Sequence, residues 1–196
     1  TNDGIYSKYS IRTYGDTIHS FIEDNQYSGC WSPGFIEIES SSGDSENNSL
    51  VKIDHIVGNV EEGKMDEWRK FYENIFGFTT FVRFDDSDIS TKYSALRSIV
   101  MRSKNWKVKL PINEPASGLK NSQIQEYLDF NEGPGVQHVA ILSDDIINSI
   151  TELRKNGVDF LDTPDAYYED LNNRIKDIDE DMEELKKLKN LKLRII

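Results

Sequence analysis

Two histidines stand in matching settings 83 residues apart, and this duplication constrains the fold more than any other feature of the 196-residue chain. His55 lies in IDHIV and is followed 22 residues later by Gly77; His138 lies in VQHVA and is followed 19 residues later by Gly157. Each histidine sits in an apolar run that reads as a strand. Each glycine closes a stretch of helical spacing, where a C-cap needs positive φ. In the first copy, residues 51–57 alternate so that Ile53, His55 and Val57 share a face, and Met65, Trp68, Phe71, Tyr72 and Ile75 then recur at steps of a helix. Short aromatic or β-branched segments at 78–84, 94–102 and 106–110 follow, separated by polar breaks, so the unit reads strand, helix, three strands. The second copy supplies a strand at 135–142 and a helix at 144–156 with Ser143 as its N-cap. So long a period is wrong for a solenoid and suits paired modules that share one site.

The other segments are plainer. Residues 6–38 have aromatic and Gly/Pro punctuation with little periodicity, 16–22 reads as a short turn of helix, and no independent core is expected there. Residues 39–49, ESSSGDSENNS, lack apolar side chains and have the composition of a solvated linker, which separates 1–38 from 50–196. Residues 167–190 place Leu171, Ile175, Ile178, Met182, Leu185 and Leu188 at helical steps, and the charges between them form a solvated face. The chain opens on Thr1 and closes on Ile195 and Ile196, which leads us to expect a piece of a longer protein.

Composition narrows the function classes. With 23 Lys and Arg against 35 Asp and Glu the formal net charge is −12, which repels nucleic-acid phosphates and acidic membranes. No run approaches the roughly 20 apolar residues that span a bilayer, so a cytoplasmic protein is expected. Cys30 is the single cysteine, excluding an internal disulfide and a Cys-rich zinc site.

A lone strand histidine is more often a hydrogen-bonded core residue than a ligand. Two of them in equivalent places shift that weighting, because imidazoles converging from related strands supply two legs of a 2-His-1-carboxylate triad with positions open on iron(II). His19 lies outside the repeat and keeps the structural reading. Asn113, Gln123, Gln125 and Gln137 fall in or beside otherwise apolar β segments; structural hydrogen bonding would account for any one of them, and clustered near the histidines they could hold the oxygens of a small polar ligand. Asp85 and Asp86 read as turn chemistry, and Asp144 and Asp145 as anions in the first turn of a helix. No phosphate-binding glycine loop or G-x-S-x-G is present.

The strings RTYGDTIHSFIE (12–23), WSPGF (31–35), IDHIVGN (53–59), ALRSIV (95–100), LPINEPASG (110–118), KNSQIQEYLDFNEGPGVQHVA (120–140) and TPDAYYEDL (163–171) resemble the 4-hydroxyphenylpyruvate dioxygenase family along nearly the whole chain. The resemblance implies an α+β fold of vicinal-oxygen-chelate βαβββ modules. In this chain they would form an open, incomplete β-barrel of one complete module and the first part of a second, preceded in 1–38 by the end of an N-terminal domain. It also implies an Fe(II) cofactor held by His55 and His138, and a substrate pocket lined by Ser98, Asn113, Gln123 and Gln137. The implied reaction converts a 2-oxo acid, 4-hydroxyphenylpyruvate, and O2 to homogentisate and CO2 in tyrosine catabolism, in a homo-oligomer. The family's iron-binding glutamate has no counterpart in a matching motif here, so the chain alone is expected to be inactive. Two alternatives stay open: a hydroxymandelate synthase-like enzyme, which hydroxylates the benzylic carbon of the same substrate, and a catalytically silent scaffold or oligomerisation piece.

Overall fold

The computed structural model describes residues 2–38, 49–84, 95–116, 122–169 and 187–193. Contacts divide the chain into two compact units, Thr1–Glu39 with Ile53–Ile141, and Ser40–Lys52 with Leu142–Ile196.

The first unit opens with a hairpin. β1 (Gly4–Arg12) and β2 (Ile18–Tyr27) pair antiparallel from Arg12↔Ile18 out to Gly4↔Tyr27. The helical turn expected at 16–22 is therefore absent: Ile18 to Ile22 are extended, with Phe21 opposite Tyr9 and His19 opposite Ile11. Cross-strand pairs of aromatic and β-branched residues override a weak local helix signal. The turn is made by Gly15 at φ 57, where a Cβ would lie 2.1 Å from the Pro134 carbonyl oxygen. The strands expose Ile5, Tyr9 and Phe21, and the segment's contribution to the core is Tyr14.

The main sheet has the order β4-β5-β6-β3-β7, built from β3 (Leu50–Asn59), β4 (Thr79–Phe84), β5 (Ala95–Arg102), β6 (Lys109–Ala116) and β7 (Gly135–Ser143). With α1 (Met65–Phe76) between β3 and β4, the run β3, α1, β4, β5, β6 is one βαβββ module, and β7 begins the next beside β3. Among the described residues the sheet stays open, with β4 and β7 at its edges. Helix α1 stops at Gly77, φ 64, whose N–H reaches the Glu73 and Tyr72 carbonyls, as the periodicity implies. It buries Met65 and Tyr72 against Val60, Ile99, Met101, Leu110, Ile112 and Tyr14. Gly58 is required here, since a Cβ would meet the Tyr14 hydroxyl at 2.1 Å.

β6 departs from the expected strand at 106–110. Trp106 has φ 61 in a turn closed by Ser103 and Val108, and the strand starts at Lys109 and runs through two prolines. Their missing N–H groups are harmless because Pro111 and Pro115 share parity with Asn113, whose carbonyl points toward β3 and accepts from the Val60 N–H at 2.9 Å. The gaps thus face β3, which pairs with β6 only at Gly58↔Ile112 and Asn59↔Asn113, while the β5 ladder stays whole. Gln123 and Gln125 lie on helix α2 (Gln123–Phe130), whose N-cap Ser122 accepts from the Gln125 N–H at 3.2 Å and whose Ile124 and Leu128 are buried.

In the second unit, α3 (Ile146–Lys155) is capped by Asp145, which accepts from the Asn148 N–H at 2.9 Å. Ser143, the expected cap, instead accepts from the Asp145 N–H and bonds the Ser149 hydroxyl at 2.7 Å. In α4 (Asp165–Glu169) the Tyr168 hydroxyl donates to the Leu193 carbonyl. Most of the expected helix at 167–190 falls at 170–186, outside the described residues, as do linker residues 39–48 and Asp85 and Asp86.

Two outcomes test this packing. Gly58→Ala should destabilise the protein by about 1–3 kcal/mol, the usual range for overpacking a filled core, read as a lower urea midpoint. The second concerns His19, whose Nε2 lies 2.8 Å from the buried Tyr72 hydroxyl and whose burial holds its pKa below the ordinary value. The unfolded imidazole titrates at about 6.5, so below that pH the unfolded chain takes up the proton first. Stability should hold above neutrality and fall on acidification from pH ~7 toward ~5. His19→Gln should flatten that fall in a series of urea melts.

Candidate metal centre

β3 and β7 are neighbours in the sheet, so the two duplicated histidines come together as the repeat implies. The ring centroids of His55 and His138 lie 5.8 Å apart at an interplanar angle of 74°. Both rings use Nδ1 toward the preceding residue. His55 Nδ1 lies 2.8 Å from Asp54 Oδ2, and His138 Nδ1 meets Gln137 Oε1. The Nε2 atoms have no hydrogen-bond partner among the described residues. Asp54 is held from the other side by Lys109, whose Nζ is 2.5 Å from Oδ1. Hydrogen bonds from His55 and then Lys109 keep the Asp54 carboxyl below the usual carboxylate range. Burial, and next the nearby His55, lower the pKa of His138, which favours the neutral imidazole that a metal requires.

Of the four pocket residues named by the sequence, Ser98 and Asn113 are neighbours and Gln137 adjoins His138. Ser98 and Asn113 are opposite one another on β5 and β6, and Ser98 is buried. Asn113 is also paired in register with Asn59 on β3, its Nδ2 lying 3.4 Å from the Asn59 Oδ1. A polar row thus crosses three strands. Gln137 sits beside His138 and spends its amide oxygen on that ring. Gln123 is exposed at the start of α2 and, among the described residues, makes no hydrogen bond to the other three.

Three residues that sequence reasoning missed shape this region. Asn59 is fully buried and its Nδ2 has no partner among the described residues; its signal was the i+4 offset from His55 on one strand face. Asp54 adjoins His55 in sequence. Lys109 had no signal, because its reach to Asp54 depends on where β6 begins.

The donor set fits part of a metal site. Two imidazoles with open Nε2 atoms match the histidine legs of a 2-His-1-carboxylate centre. Among the described residues no group of three His, Cys, Asp or Glu side chains could hold an ion. The Asp54 carboxylate, which meets His55, already has both oxygens engaged.

Comparison with known proteins agrees with this architecture. Three curated relatives are 4-hydroxyphenylpyruvate dioxygenases. The one from Coccidioides posadasii is 47% identical over 195 residues, 95% of this chain and 48% of its own length. That from Yarrowia lipolytica is 46% identical over 84% of this chain and 43% of its own, and that from Dictyostelium discoideum 44% over 89% and 50%. The chain therefore spans about half the length of the relatives it matches or somewhat less. Among solved structures, a triple mutant of 4-hydroxymandelate synthase from Streptomyces coelicolor superposes with a TM-score of 0.59 at 30% identity, covering 72% of this chain and 38% of that one. A xylose isomerase-like TIM barrel/4-hydroxyphenylpyruvate dioxygenase fusion protein gives 0.54 at 26% identity, covering 73% and 21%. Residues 52–183 match the family model of the Glyoxalase/Bleomycin resistance protein/Dioxygenase superfamily, and with the open βαβββ sheet this establishes that the chain belongs to that superfamily.

Proposed function

We propose that this chain is the histidine-bearing part of a cytoplasmic, homo-oligomeric iron(II) dioxygenase that converts 4-hydroxyphenylpyruvate and O2 to homogentisate and CO2. The observation that carries the reading is the 5.8 Å approach of His55 and His138 from the first strands of two modules. His55 and His138 would hold the ion through Nε2. When bound, iron(II) supplies activation of O2 and couples decarboxylation of the 2-oxo acid to ring hydroxylation. The chain's own residues bind and orient. The Ser98 hydroxyl and the Asn113 amide, adjacent across β5 and β6, offer donor and acceptor atoms to substrate oxygens. Gln123 and Gln137 complete the proposed lining, the latter in addition to its contact with His138.

The solved 4-hydroxymandelate synthase favours a second reading, oxidation at the benzylic carbon of the same substrate. The 44–47% identity to the dioxygenases named above supports ring hydroxylation instead.

Substrate-dependent oxygen uptake, with chromatographic separation of homogentisate from 4-hydroxymandelate, tests the assignment on a longer parent protein containing this chain. Homogentisate is the expected product. His55→Ala and His138→Ala should each cost more than about 100-fold, beyond the range for residues that merely support a ligand. The 196-residue chain by itself should show no turnover, since its described residues supply two ligands and not three. Asn113→Ala should lower kcat/KM by an amount equivalent to about 1–3 kcal/mol through loss of one polar partner.

A further inference from the structure

We propose that Asp54, itself anchored by Lys109, is a positioning residue that fixes His55 as the Nδ1–H tautomer and thereby turns the Nε2 lone pair toward the site shared with His138. In its purpose the inference rests on the metal reading above; its geometry does not. A neutral imidazole carries its proton on one nitrogen and a lone pair on the other, and the hydrogen bond at one decides the state of both. A carboxylate only accepts. With Asp54 Oδ2 at 2.8 Å from Nδ1, that nitrogen must be the donor, and Nε2 is left with the lone pair.

Lys109 makes the arrangement directional. Its Nζ donates to Oδ1 at 2.5 Å, so the carboxylate is tethered from β6 by one oxygen while the other meets the ring on β3. Asp54 could not turn toward an ion in the shared site without giving up one or both bonds, which separates its role from that of a third ligand. The two histidines are oriented unequally. His138 is backed by the amide of Gln137, which can present either an acceptor or a donor face. His55 is backed by a group with one face only, so β3 supplies the leg of the pair whose tautomer is set.

The test is long-range 1H–15N spectroscopy of the labelled 196-residue chain at about pH 8.5, where an imidazole of ordinary pKa ~6.5 is neutral. His55 in the unsubstituted protein is expected to show protonated Nδ1 and bare Nε2. Asp54→Ala should raise the Nε2–H population, and Asp54→Asn should raise it further, because Lys109 can only donate and so claims the amide oxygen, leaving the amide N–H to face His55 Nδ1. Lys109→Met should shift the balance part of the way. A dominant Nε2–H form in the unsubstituted chain overturns the proposal without any variant having to fold, and so does an unchanged His55 in Asp54→Ala. Titration of the same samples with cobalt(II) adds a second readout. Binding should weaken about 10–100-fold in Asp54→Ala, the range for losing a group that orients a ligand, and at least as much in Asp54→Asn. Loss of cobalt binding in a variant that keeps the original His55 tautomer would make Asp54 a ligand and overturn the positioning role. A chain with the expected tautomer that binds no cobalt upholds the orientation and overturns the metal reading instead.

Discussion

Glu114 is the interaction on which the first module depends. Its carboxylate is buried, 3% exposed, and divides its oxygens between the Arg97 guanidinium at 2.9 Å and the Met65 N–H at 3.0 Å. The second bond satisfies a donor that α1 cannot satisfy locally, because Lys64 at the N-cap position provides no side-chain cap. A negative charge at that end also complements the helix dipole. One side chain therefore ties β6 to β5 and to the start of α1, and Asn113, on the opposite parity of β6, is held in place with it. The alternation of a strand lets adjacent residues serve the core and the site.

The other structural pin is the Tyr14, Tyr72 and His19 cluster. Tyr72 is fully buried on α1, and its hydroxyl meets His19 from the hairpin; burial, foremost, raises the pKa of both tyrosines above the ordinary phenol value. Neutral hydroxyls and a neutral imidazole can share this interior at modest cost, where a charge could not. Gly58 leaves the space that Tyr14 fills. The motif around His55 thus has a packing reason for its glycine three residues beyond the candidate ligand.

Much of the module and the approach of His55 to His138 were legible because both rest on repetition and periodicity, which survive in a single sequence. What was misread depends on nonlocal choices. Gln123-Ile124-Gln125 alternates like a strand, yet Ser122 supplies a cap and Ile124 and Leu128 sit four apart, and packing of α2 beside β6 decides for the helix. Trp106 has the composition of a strand and the backbone of a turn, since a left-handed non-glycine residue is invisible to propensity. Residues 18–22 needed β1 to become a strand. Glu114 lies 49 residues from the helix it caps, so no window along the chain could reveal the bond. Lys109 reaches Asp54 across 55 residues and was hidden for the same reason.

The neighbouring placement of β3 and β7 also sets a timetable for synthesis. His55 emerges 83 residues ahead of His138, which at about 5–20 residues per second is a delay of roughly 4–17 seconds. Once β6 has emerged, and until β7 follows, β3 has β6 on one flank and nothing on the other, so the first module can close around α1 with a bare sheet edge waiting. The nascent chain holds a single imidazole poised there, already tethered through Asp54, and becomes a two-histidine site only when the second module begins to leave the ribosome.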